Sequence, residues 1–155
     1  MKNLSYLVKL TLQFFDSYIL ETLKSLLKRF KMPNTIQLKY FKLEEFDCPI
    51  EPGSHKKMNK NLLEKLDYAR HNAGVPFVIN SAFRNKNYNL SIGGRVRSAH
   101  LDGDAVDIKC IGSRDRALIL KALIDVGINR IGIAKTFIHA DVSKRLDSDV
   151  FWLYD

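Results

Sequence analysis

Ser98-Ala99-His100-Leu101-Asp102-Gly103-Asp104-Ala105-Val106-Asp107-Ile108-Lys109-Cys110 is the stretch from which the rest of the chain is read. Its second half alternates as a strand does: Ala105, Asp107 and Lys109 share one face, and Val106, Ile108 and Cys110 the other. The second trio is apolar and makes the natural core side, so Asp107 points away from the core. Gly103 permits a tight turn just before the strand, which returns the loop residue His100 towards Asp107. Phe137-Ile138-His139-Ala140-Asp141-Val142 repeats the pattern, with Phe137, His139 and Asp141 on one face and Ile138, Ala140 and Val142 on the other. On a strand, His139 and Asp141 stand about 6 to 7 Å apart on that face. Two strands of one sheet thus each present a metal-competent side chain, and a loop histidine completes the set. Two imidazoles and one carboxylate form a known catalytic zinc shell that leaves a fourth position open. Spacing alone leaves a plainer alternative standing, in which the pair arises by chance and His139-x-Asp141 is only a surface strand.

Outward from these segments the chain reads as one domain of mixed elements. Gln37 to Phe41 suits a short strand and Lys42 to Phe46 a helical turn. Asn59 to Asn72 suits a helix with Leu62, Leu63, Leu66, Ala69 and Ala73 inward and Gly74 as its stop. Pro76 to Ala82 reads as a strand, and Arg84 to Arg97 as a polar, glycine-containing loop. Ser113 is a candidate N-cap for a helix through Val126. Short strands follow over Arg130 to Ala134 and Phe137 to Val142, with a further one over Val150 to Tyr154. There is no regular βαβ rhythm. The expected class is α+β, a small, mostly antiparallel sheet with helices packed on one side and the metal site on the sheet.

Composition narrows the partners without choosing one. The 155 residues are 46% hydrophobic and carry a formal net charge of +8, which suits nucleic acid, an anionic membrane or a bacterial cell wall. Nucleic acid is disfavoured, because no recognition motif or aromatic-basic stacking platform accompanies the charge. Cys48 and Cys110 are too few for a disulfide framework and form no CxxC pair, so both read as reduced structural residues. Residues 1–33 read as an amphipathic helical extension and residues 34–155 as the main domain, divided at Met32-Pro33-Asn34. Within residues 4–30, leucines and phenylalanines recur at helical spacing, while Lys9 and Asp16 interrupt any uniform apolar span. That stripe would meet the domain's own body, a second copy, or a membrane surface. The segment lacks the features of a signal peptide, so localisation is left open.

The string Ser98-x-His100-x-x-Gly103-x-Ala105-x-Asp107, followed by a later strand histidine, resembles the family of zinc D-Ala-D-Ala carboxypeptidases. It is most similar to the small single-domain branch found in bacteria and encoded by bacteriophages. The likeness runs from about Leu38 to Tyr154. It takes in Phe41 to Asp47, Glu51-Pro52-Gly53, Leu66-Asp67, Ala69-Arg70 and Asn80-Ser81-Ala82-Phe83-Arg84. It continues through Asn89, Gly93-Gly94, Arg130-Ile131-Gly132-Ile133, His139-Ala140-Asp141 and Trp152-Leu153-Tyr154.

The resemblance implies a zinc-dependent hydrolase of peptidoglycan stem peptides, either a D-Ala-D-Ala carboxypeptidase or a cross-link endopeptidase. His100, Asp107 and His139 correspond to the zinc ligands. Arg84 corresponds to an arginine that holds a substrate carboxylate or steadies the polarised carbonyl, and a planar guanidinium suits either task. Ser98 corresponds to a serine lining the substrate site, although a loop-capping hydroxyl is an equal reading. One position departs: several relatives carry a catalytic carboxylate three residues before the last zinc histidine, and here Thr136 stands there. Asp141 is the best replacement base, and equally a partner that orients a ligand histidine; Asp102, Asp104 and Glu45 are more remote candidates. Without a carboxylate that reaches the attacking water, the alternative is a catalytically silent zinc-containing module that binds cell wall or protein. His55 and His71 read as solvent-facing, and Trp152 and Tyr154 as packing residues or an aromatic wall beside the substrate.

Overall fold

The computed structural model describes residues 36–154, together with Ile19 and Thr22; the expected amphipathic helix over residues 4–30 and the expected boundary at residue 33 lie outside the described residues. From Gln37 onward the chain forms one compact unit. Helix α1 (Lys60–Ala73) starts at Asn59, whose side-chain oxygen accepts from the Asn61 amide, and stops at Gly74 in the left-handed conformation. Strand β1 is Val78–Ser81, and a single-turn helix α2 covers Lys86–Ser91. Strand β2 (Ala105–Lys109) leads to helix α3 (Ser113–Asp125), followed by β3 (Arg130–Ile133), β4 (Phe137–Asp141) and β5 (Val150–Leu153).

The five strands form one sheet in the order β1-β2-β4-β3-β5. Its pairs are antiparallel except β3 with β5, which is parallel. Val106, Ile108, Ile131, Ile138 and Ala140 line one face and are fully buried. Helices α1 and α3 pack on each other, and α3 meets β4. Leu62, Leu63, Leu66, Ile119 and Leu123 are buried between these layers. The expected α+β class, with its mostly antiparallel sheet, is what the chain adopts. Among the described residues no helix is long and apolar enough to cross a membrane.

Three local expectations fail for identifiable reasons. Residues 37–41 form no strand, because helix α1 satisfies their backbone instead. The Asp67 carboxylate accepts from the Lys39 and Tyr40 amides, and Arg70 donates to the Tyr40 carbonyl. The polar loop after Arg84 contains α2, initiated by Asn85, whose side chain accepts from the Tyr88 amide; a six-residue helix is too short for an apolar period to reveal it. Ser113 is the first residue of α3 rather than its cap, which is Gly112.

Candidate metal centre

The face of the sheet opposite the helices carries the chemistry. Ser81, Asp107, His139, Gly132 and Trp152 are successive cross-strand partners, one from each strand. Residues directly opposed across a ladder project to the same face, so these five form a row across the whole sheet. Alternation thus places Asp107 and His139 as expected, side by side. The β1 end of the row depends on a register shift between Ile79 and Ser81. That bulge sets Ser81 opposite Asp107 and leads the chain on to Ala82 and Arg84, which both touch the centre.

His100 arrives from a 3₁₀ turn, Ala99–Asp102, whose N-cap is Ser98. The Ser98 hydroxyl accepts from the His100 amide at 3.4 Å, which is the loop-capping role. Gly103 closes the turn with φ of +73°, and a Cβ there would lie 2.1 Å from the Lys57 carbonyl oxygen. Glycine is therefore required by conformation and by space together.

The three side chains converge through particular atoms. His100 Nδ1 lies 2.6 Å from the Ala82 carbonyl oxygen; a carbonyl only accepts, so Nδ1 carries the hydrogen and Nε2 offers its lone pair. His100 Nε2 is 3.3 Å from both His139 Nδ1 and Asp107 Oδ1, and His139 Nδ1 is 2.8 Å from Asp107 Oδ1. On its other edge, His139 Nε2 lies 3.1 Å from Asp141 Oδ2, which directs Nδ1 inward in the same way. One ligand atom from each of His100, Asp107 and His139 lies within 4.8 Å of the others, and all three residues are buried. Ligands about 2.0–2.1 Å from a tetrahedral zinc ion stand about 3.3 Å apart, so the spacing and the donor set fit that ion. Both histidines have the hydrogen-bonded outer nitrogen that ligand imidazoles use to fix their tautomer.

Electrostatics agree with a site built for a cation. Burial pushes the His100 imidazole below its ordinary value, keeping it neutral. Burial alone would raise Asp107, but hydrogen bonds from His100 and His139 hold its carboxyl well below the usual range. Burial would also lower His139, yet bonds to Asp107 and Asp141 raise it above an ordinary histidine.

The family model for peptidase M15 matches residues 39–141, about two thirds of the chain. The chain belongs to the peptidase M15 family. No curated protein matches it. M15 enzymes are zinc metallopeptidases, and the His-Asp-His cluster lies within the matched part.

The remaining residues expected at the M15 site fall in less expected places. Arg84 donates from Nε to Ser81 Oγ at 2.7 Å and from Nη2 to Asp107 Oδ2. Through Nη2 it braces a candidate ligand. Asp141 is held on both of its oxygens. It is 1% exposed, with Oδ1 accepting from Arg130 Nε at 2.8 Å and the Ser143 amide at 3.0 Å. Its other oxygen faces His139 Nε2 at 3.1 Å, across the ring from the cluster. Asp102 is paired with Arg145, Asp104 accepts from Asn59, and Glu45 accepts from the Lys42 amide. His55 and His71 are structural ties, to Asp47 and to the Tyr40 hydroxyl.

Beyond His139 the M15 site has an aromatic flank whose dependence on Gly132 sequence reading missed. The Trp152 ring centroid is 5.4 Å and that of Tyr154 6.5 Å from His139. A Cβ on Gly132 would come within 2.5 Å of Tyr154 and 2.6 Å of Trp152, so the bare glycine lets both rings lie over β3. Burial raises the Tyr154 phenol above its ordinary value, and the Asp107 charge adds to this while Trp152, Arg84 and Arg95 oppose it. Once Trp152 is paired with Gly132 on the site face, the signal was available in Arg130-Ile131-Gly132-Ile133.

Proposed function

We propose that the chain is a zinc-dependent peptidase that hydrolyses peptide bonds in peptidoglycan stem peptides, as a carboxypeptidase or a cross-link endopeptidase. The observation that carries this reading is the convergence of His100 Nε2, Asp107 Oδ1 and His139 Nδ1, with both ring tautomers set by acceptors on their outer edges. A zinc ion held by these atoms would supply Lewis-acid polarisation of the scissile carbonyl and a nucleophilic water at neutral pH. Arg84 holds the second oxygen of Asp107, and Asp141 with Arg130 holds His139, so the ligands are fixed before substrate arrives. Trp152 and Tyr154 bound the substrate on the β5 side. The peptidoglycan assignment is supported by the family's resemblance to D-Ala-D-Ala carboxypeptidases and by the net charge of +8, which suits an anionic wall.

A second reading, a zinc-containing module that binds wall without cutting it, is favoured by one observation: each acidic candidate for the base is engaged elsewhere. One experiment separates the two. Zinc-loaded protein is incubated with purified peptidoglycan of several stem-peptide types, and released products are separated by mass. The peptidase reading predicts new amine and carboxyl termini, lost in His139→Ala. Retained zinc with no product from any wall type establishes the binding module instead.

A further inference from the structure

We infer that Tyr154 donates the hydrogen bond that stabilises the substrate carbonyl oxygen during hydrolysis, and that Trp152 and Gly132 position it for this. The inference rests on the peptidase reading above and names one of its working groups. Amide hydrolysis builds negative charge on the carbonyl oxygen, and a preorganised donor aimed at that oxygen contributes strongly to rate. The expected donor, Arg84, is committed through Nε and Nη2 to Ser81 and Asp107. Arg130 is committed to Asp141. Tyr154 keeps its donor: the Trp152 indole can only donate to the phenol oxygen, which leaves the O–H available, while the ring packs on Phe137 at 5.1 Å and on Trp152 at 6.0 Å between centroids and 40% of the residue is exposed. It is thus gripped on its inner faces and open on another. Its backbone is fixed as well, since the Tyr154 amide donates to the Ile133 carbonyl at 2.9 Å and continues the β3–β5 ladder. The bare Gly132, opposite His139 on the site face, lets the edge of the Tyr154 ring lie over it, with the ring centroid 6.5 Å from that of His139.

In the reaction, the oxygen of water bonds to the carbonyl carbon, the C–N bond breaks, and the amine leaves with a proton from that water. The phenol retains its own proton and contributes only a hydrogen bond.

Tyr154→Phe keeps the ring and removes the hydroxyl. In the zinc-loaded full chain it should lower kcat on a soluble stem peptide by about 10²-fold, leave KM within about threefold, and leave zinc stoichiometry unchanged. Affinity for a dipeptide phosphinate, whose tetrahedral anion mimics the charged intermediate, should fall by a similar factor. Equal phosphinate affinity in Tyr154→Phe and wild type overturns the assignment, whatever the turnover. Weaker phosphinate binding in the variant, with a wild type that cleaves no stem peptide, supports Tyr154 as the donor of the cleft and overturns the peptidase reading alone.

Discussion

At the residue scale, the two histidines are made ligands by what holds their outer nitrogens. His100 leans on a backbone carbonyl, which a side-chain substitution cannot remove, whereas His139 leans on Asp141. Asp141→Asn is therefore the informative change. It keeps the shape but weakens the acceptor facing His139 and the partner of Arg130. Zinc affinity should fall about 10- to 100-fold, measured by competition with a chromophoric chelator, while the folded state persists. An Asp141 acting only as base would lose turnover with zinc affinity untouched. Asp47 offers a separate test, remote from the centre. Burial would raise its carboxyl, but the Gly53 and His55 amides and the His55 ring together hold it below its ordinary value. A depressed carboxylate stabilises above its unfolded value and loses that contribution as pH falls through the folded one. Asp47→Ala should cost about 1 kcal/mol near neutrality. The gap to wild type should close in acid below the ordinary carboxylate range, as followed by urea unfolding.

At the scale of elements, strand alternation carries most of the site. The faces of β2 and β4 were legible because each alternates apolar with polar residues, and the apolar face fixes the register. The bulge in β1 was not legible, because Val78, Ile79, Asn80 and Ser81 contain no residue that marks an extra position. The commitment of Arg84 to Asp107 follows from that bulge, so it too was hidden. The absent strand before residue 42 shows the same limit, since the deciding groups, Asp67 and Arg70, lie on a helix far along the chain. Two glycines carry element-scale predictions. Gly103→Ala combines a left-handed φ with a collision against the Lys57 backbone, and should destabilise by about 2–4 kcal/mol in urea unfolding. Gly132→Ala should cost about 1–3 kcal/mol and shift the emission of Trp152. That is the single tryptophan of the chain, so its fluorescence reports this flank alone.

At the scale of the whole molecule, the cluster joins a turn, β2 and β4, which the chain reaches at residues 100, 107 and 139. A cation bound there ties together parts that separate on unfolding and stabilises the native state by mass action. At about 100-fold excess over its dissociation constant, zinc should add about 2.7 kcal/mol, seen as a higher Tm that falls back when a chelator is added. His139→Ala should show no such response. The central claim is the identity of the ligands, and zinc-edge X-ray absorption of the loaded full chain tests it most directly. The account predicts one zinc per chain with imidazole scattering from two histidines, nitrogen and oxygen neighbours at about 2.0–2.2 Å, and loss of one imidazole in His139→Ala. A sulfur shell at about 2.3 Å, placing the metal on Cys48 or Cys110, or a folded protein that takes up no zinc, would contradict it.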